Sequence, residues 1–413
     1  MSKILLKIGL VLIPFYEILV RVVPFTNALV PDTRMGKVFL GMWIALSIGL
    51  VAMYSGSLKK CRNIYLLILV LYIPLSIHLA PKYLLAINEV DSTNFWVWKP
   101  FLTIVCFFLM FMAIQSFELS KKYLNQIFNI MSWVGFVMAL YCILQHFGFD
   151  QFYNVKTGGQ FDHVTKPEIV GTLGNSTIVS PFVAMIIPIT LYLRRYASTI
   201  AMCVAVCLSM SSMAIGGMIA SFGVYSLIKW RVRGGFAILT IVFLVFVGGM
   251  ICKVQSPEKF QRISTSIFSA SGRVSVWKDT IRVMKEEKLG DEKLSTYPYT
   301  GAGLGSYPMV VRSIILPEGK KKTMFAQVHN DYLELFVSFG LVGLGLFLMS
   351  IFSMIKGAYY SNNKETLPIV CSFVCISLIA FGSFVWQLSP HNFYTVLLVG
   401  LLHNESLIKG ELK

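Results

Sequence analysis

Val328-His329-Asn330-Asp331-Tyr332-Leu333-Glu334 is where this chain changes character. Behind it lies the longest polar stretch of the sequence; ahead of it, residues 331–355 form an apolar run. Asp331 followed three residues later by Glu334 is a capping-box pattern, so a helix is predicted to start there. A run of that length and polarity crosses a bilayer. His329 is then expected at the water-facing mouth of a membrane bundle, at the positive end of a helix. That field disfavours imidazolium, which leaves a neutral histidine able to take a proton near pH 7. The competing reading is an interfacial histidine that only caps the helix.

Composition extends this local reading to the whole chain. Hydrophobic residues make up 56% of the 413 residues and charged residues 14%, with a mean hydropathy of +0.69. A soluble chain of this length would fold as two or three domains; these values instead define an all-α polytopic membrane protein. Apolar runs are predicted to span the membrane near 4–23, 37–54, 63–80, 100–117, 126–147, 177–193, 197–212, 213–229, 236–252, 331–355, 367–385 and 391–408. About twelve transmembrane helices put both termini on one side. The first run carries Lys7, Glu17 and Arg21 and no small-residue cleavage site, so it reads as a retained span. The pair 197–212 and 213–229 requires a tight turn at Ser211-Ser212; one long broken helix there would change the parity.

Charge sets the orientation. The short loops and termini of one side hold sixteen Lys and Arg, among them Lys3, Lys121, Arg195 and Lys364, against six on the other side. The first set is therefore predicted to be cytoplasmic. This sorting accounts for much of the formal charge of +16, and no nucleic-acid-binding motif accompanies it. The chain reads as one transmembrane domain over 1–413, with a large, partly helical outer loop at 253–330. Five of the six histidines (His78, His146, His163, His329 and His391) fall at or beyond outer span ends. Cys203/Cys207 and Cys371/Cys375 have helical spacing inside apolar runs and read as packing residues.

The outer loop carries thirteen Lys and Arg against seven Asp and Glu. That excess suits anionic headgroups or a phosphate-bearing substrate, and equally a solvated basic loop. Within it, Val274, Trp277, Ile281 and Met284 recur at helical spacing behind Ser271-Gly272-Arg273. Arg273 then falls in a first helical turn, where backbone N–H groups and a guanidinium would together suit a phosphate. An arginine at headgroup level is the alternative. Trp277 serves packing or interfacial anchoring ahead of sugar stacking. Gly301, Gly303 and Gly305 permit positive φ in a re-entrant, substrate-lining loop or a plain turn. Arg312 is a second candidate phosphate ligand. Upstream, Asn175 or Ser176 can cap the helix predicted at 177–193, whose N-terminus also points outward. Two such helix ends could share a diphosphate. No Asp/Glu pair in the loop has a metal-binding pattern, so neither metal nor cofactor is expected.

Gly171-Thr172-Leu173-Gly174-Asn175, then Gly272-Arg273 with Trp277, then Gly301/Gly303/Gly305, then His329-Asn330 with Tyr332-Leu333, Gly340 and Gly343 occur in this order. Order and spacing resemble the O-antigen ligase and polymerase superfamily, from about residue 170 to 350. The resemblance implies a bacterial inner-membrane glycosyltransferase acting at the periplasmic face. Its donor would be a glycan on undecaprenyl diphosphate. Its acceptor would be the lipid A-core, another lipid-linked repeat or a protein hydroxyl, for a ligase, a polymerase or an oligosaccharyltransferase respectively. The family's outer-loop histidine maps onto His329, as catalytic base, and the arginine of its Gly-Arg motif onto Arg273. Asn330 is expected to orient His329 or a sugar hydroxyl, or to cap the helix. Relatives often carry an arginine near the outer end of the span after 197–212; here Ser211-Ser212-Met213-Ala214-Ile215-Gly216-Gly217 has no basic residue. Arg312 or a loop lysine is the replacement this sequence offers. A lipid or polysaccharide transporter is the reading from another class, and few ionisable residues within the spans support it.

Overall fold

The computed structural model describes residues 1–22, 33–56, 64–79, 94–150, 169–209, 211–230, 271–285, 288–289, 292–293, 297–307, 328–359 and 363–408. The span predicted at 236–252, Arg312 and the side chains of Glu17 and Arg21 lie outside them. Helices occupy the other eleven predicted segments. They are α1 (Ser2–Val22), α2 (Thr33–Tyr54), α3 (Ile64–Leu79), α4 (Asn94–Ser116), α5 (Lys121–His146), α6 (Ser176–Tyr192), α7 (Tyr196–Leu208) and α8 (Ser212–Trp230). In the outer-loop region come α9 (Ser271–Lys285), a two-residue antiparallel ladder pairing Lys288–Leu289 with Glu292–Lys293, and α10 (Tyr297–Thr300). The chain ends with α11 (Asp331–Tyr359), α12 (Thr366–Ile379), α13 (Ser389–Leu402) and α14 (Glu405–Ile408). α7 and α8 are two separate helices, as the turn at Ser211-Ser212 predicts.

Among the described residues, two helices, Lys121–His146 and the 331–357 part of α11, are long and apolar enough to cross a membrane by length and composition. The outward surface argues the same way. Trp43, Leu71, Ile200 and Phe352 are each more than 60% exposed. Large apolar side chains spread so widely over a surface suit hydrocarbon, not water.

The helix α6 is the hub. Every residue from Val179 to Thr190 is buried, as expected for a helix apolar all round. It packs against α5, α7, α8 and α12, while α2 packs on α1 and α4, and α3 packs on α11. At one end of the bundle, segments predicted to be cytoplasmic meet one another. Lys7 Nζ donates to Gln126 Oε1 at 2.7 Å and lies 5.1 Å from the Tyr123 ring centroid. Asn404 Nδ2 reaches the carbonyls of Ile114, Gln115 and Phe117 at 2.8–3.2 Å, and Lys121 pairs with Glu365 at 3.5 Å.

The long helix α11 is broken at Gly340, which has φ 63° and ψ −165°. The break frees the carbonyls of Val337 and Ser338 from helical partners. The glycine loop takes them: Ala302 N–H donates to Val337 O at 2.7 Å and Gly303 N–H to Ser338 O at 3.0 Å. Contact is backbone to backbone. A Cβ on Gly340 would collide with Tyr299 and Thr300, and one on Gly301 would collide with Ser338 and Phe339. Gly301 (φ 81°) and Gly340 therefore have to be glycine on two counts, conformation and space. Leu304 follows into a small apolar cluster with Ile73 and Phe339, and Tyr72 Oη donates to Thr300 O at 3.0 Å. The glycine loop is thus packed into the break of α11.

Candidate active site

Three segments meet where α11 begins: the helix α9, the turn 328–334, and the connection 380–388 between α12 and α13. The third was predicted as the last turns of a span reaching residue 385. The helix stops instead at Ile379. Phe381, Phe384, Val385 and Trp386 extend the hydropathy signal, but they are apolar because they pack a turn, not because they continue a helix.

That connection holds the other two segments. Ala380 O accepts from Asp331 N–H at 2.9 Å. Gly382 O accepts from Arg273 Nη1 at 2.6 Å. The Phe384 ring meets His329 edge to face, with centroids 4.9 Å apart. Trp386 N–H donates to Asp331 Oδ2 at 2.9 Å, and Gln387 Nε2 donates both to Asp331 Oδ1 at 3.2 Å and to Glu334 Oε2 at 2.6 Å. Tyr332 stacks on Phe381, with centroids 4.1 Å apart, and donates its hydroxyl to Ser377 O.

These contacts correct the predicted capping box. The cap of α11 is Asn330, whose Oδ1 accepts from Leu333 N–H at 3.0 Å. Asp331 lies one residue inside the helix and is buried against Trp386 and Gln387. Glu334 reaches back to the N–H of Val328, beyond the cap. The shift frees both carboxylates from capping and turns them inward. Of the roles open to Asn330, its side-chain oxygen takes the cap.

His329 sits one residue before this cap in the left-handed region, with φ 55°. A residue with a Cβ held there costs about 1–3 kcal/mol, and such residues gather at functional sites. The half-buried ring has its pKa lowered from the ordinary imidazole range, first by burial and then by the charge of Arg273. The predicted neutral histidine follows, though the cause differs from the helix field first invoked. Burial also lowers the pKa of Arg273, but a guanidinium starts so high that it stays charged.

The helix α9 places Arg273. Its predicted apolar face was Val274, Trp277, Ile281 and Met284. Met284 is buried, but Val274 and Ile281 are exposed, and Thr280 is 1% exposed. The inward face is thus Arg273, Trp277, Thr280 and Met284. Trp277 Nε1 donates to Val328 O at 3.0 Å, which ties α9 to the residue before His329. Asn175 caps α6, accepting from Thr177 N–H at 2.8 Å, as one of the two predicted caps. The same oxygen accepts from Thr177 Oγ1, also at 2.8 Å. Among the described residues no cluster of His, Cys, Asp or Glu is placed to hold a metal ion.

A cavity of about 420 Å³ opens beside this site, between α3, α4, α11 and α13. Its walls are largely Leu, Val and Phe, and Asp331, Glu334, Gln387 and Asn392 line it from the first turns of α11 and α13 and the residue before them. Sequence reading missed Asp331, Gln387 and the 380–388 connection as site components. The signal for the connection was present, as Gly382-Ser383 and Gln387 interrupt an apolar run.

An apolar helical bundle that brings a histidine and an arginine together at the start of α11 defines a membrane protein with a built polar site. Residues 197–348 match the O-antigen ligase family model. The matched segment runs from α7 to the middle of α11 and includes Arg273, the glycine loop and His329. The match supports the O-antigen ligase superfamily for this chain. No curated protein matches the chain.

Proposed function

We propose that the protein is an O-antigen ligase-like glycosyltransferase at the periplasmic face of the bacterial inner membrane. It moves a glycan from undecaprenyl diphosphate to an acceptor hydroxyl, with the lipid A-core as the first candidate. A polymerase or a protein O-oligosaccharyltransferase of the same superfamily would use the same chemistry on another acceptor.

The observation that carries this reading is the pairing of Arg273 with His329. Gly382 O takes one guanidinium donor, and the remaining donors suit a diphosphate. The acceptor oxygen attacks the anomeric carbon as the bond from that carbon to the phosphate oxygen breaks. The diphosphate leaves with the bonding pair, and Arg273 meets the growing charge. Arg312 is assigned the same role. His329 takes the acceptor proton. Attack opposite the leaving group inverts the anomeric centre. The structure assigns Trp277 a hydrogen bond and Asn330 a cap, so substrate contact by either is secondary to those roles.

Transfer of labelled glycan by purified protein in detergent tests the proposal. His329→Ala is expected to stop transfer while the protein remains inserted and abundant; unchanged transfer would reject the base. A transporter needs a sealed compartment and would show no product in this assay.

A further inference from the structure

Among the described residues, the cavity beside His329 offers a phosphate no cation: its ionisable lining residues are Asp331 and Glu334, and a carboxyl group gives a diphosphate no positive charge to pair with. The guanidinium that suits phosphate lies instead with His329, on Gly382. Carboxylates, amides and an indole N–H are the groups that hold sugar hydroxyls, and Asp331, Glu334, Gln387, Asn392 and Trp386 supply them. Each carboxylate keeps lone pairs beyond those used by Gln387 and Trp386. Two further buried groups on its lining residues have no hydrogen-bond partner among the described residues: Trp386 Nε1, and Thr395 Oγ1 on a residue 7% exposed. Buried polar groups are normally satisfied, so this pair points to a ligand that brings hydrogen-bonding atoms. The remaining wall, including Phe107, Phe108 and Phe111, is mostly apolar, with Thr103, Ser338 and Ser350 among its residues. A volume of 420 Å³ falls within the range of small-molecule sites.

We propose that this cavity is the acceptor subsite and takes an amphiphile: an apolar chain carrying a neutral, hydroxyl-bearing head. The chain lies among the phenylalanines, and the head rests on Asp331, Glu334 and Gln387. The acceptor thus approaches His329 from the carboxylate side and the donor diphosphate from the Arg273 side. This inference rests on the reading of His329 as the base for an acceptor hydroxyl.

Binding tests it on the full chain, extracted with a polymer and without detergent. The probes are dodecyl maltoside, which is neutral and hydroxyl-rich, and dodecyl phosphate, counted by native mass spectrometry. Wild-type protein is expected to retain the maltoside at least tenfold better than the phosphate. Val396→Trp, which fills the cavity from α13, is expected to cut maltoside retention about tenfold. Glu334→Gln with Asp331→Asn is expected to shrink the preference, and this arm needs no filled variant if Val396→Trp fails to accumulate. Equal retention of the two probes, or a folded Val396→Trp that binds the maltoside as wild type does, overturns the proposal. His329→Ala is expected to bind both probes unchanged. If that variant also transfers glycan normally, the base assignment fails, and with it the acceptor role of the cavity, while the binding of the amphiphile stands.

Discussion

Trp277 Nε1 donates to the carbonyl of Val328 at 3.0 Å, so an indole on α9 fixes the peptide that leads into His329. His329 is held in the left-handed region, and a strained residue persists only when its surroundings over-determine it. Trp277 on one side and the Asn330 cap on the other supply that constraint.

Trp277→Phe separates this role from sugar stacking. Phenylalanine keeps an aromatic face but has no N–H. The expected outcome is a fall in kcat of roughly fivefold with donor and acceptor KM little changed, for the loss of about 1 kcal/mol of hydrogen bonding to the site. A stacking platform would give the opposite pattern, with kcat kept and KM moderately altered. Steady-state kinetics on both substrates decides.

The Asn330 variants make a matching pair. Asn330→Ala removes the cap of α11 and is expected to cost about 1 kcal/mol of stability, read as a lower melting temperature in detergent. Asn330→Ser restores a capping oxygen and should recover both stability and transfer. If serine restores stability but leaves transfer lost, the amide touches substrate after all.

Much of the fold was legible because bilayer hydrophobicity is a strong, local signal. The positions of α1 to α8 and α11 to α13 follow from runs of apolar residues. Span ends were less legible. Phe381, Phe384 and Trp386 look like helix to a hydropathy window, yet they form the connection that clamps Asp331, Arg273 and His329. The site followed the same rule. Asn175 as a cap depends on residues two positions apart and was readable. Asp331 bonded to Trp386 and Gln387 depends on residues 55 and 56 positions away, and no local pattern carries that. Arg273 beside His329 was foreshadowed only by the order of motifs shared with a family.

The contact of Gly340 with Tyr299 and Thr300 predicts a steric failure. Gly340→Ala adds a Cβ into backbone that has no side chain to move aside, at a φ that alanine rarely adopts. The left-handed backbone alone costs about 1–2 kcal/mol. The glycine loop must then part from the α11 break, exposing the carbonyls of Val337 and Ser338. The variant is expected to lose most folded protein on size-exclusion chromatography. Gly345→Ala, in the same helix with open space around it, should remain folded. A stable Gly340→Ala would refute the backbone interlock.

The acid side of the pH–rate profile tests the electrostatics of the base. A general base works in its neutral form, so kcat/KM should be flat above the pKa of His329 and fall as pH drops through it. Burial and the Arg273 charge both lower that pKa. The acid limb is therefore expected below the usual imidazole value of about 6.5. Arg273→Ala removes the smaller of the two causes, so the limb should move up in pH while remaining below the ordinary value, because burial persists. Arg273→Lys keeps a positive charge and should leave the limb near its wild-type position, yet restore donor use only in part, since an ammonium cannot form the bidentate fork. A limb above pH 7 in the wild-type enzyme, or one that Arg273→Ala leaves unmoved, would separate His329 from the charge beside it. EDTA should not change the profile, because no step assigned to these residues uses a metal ion.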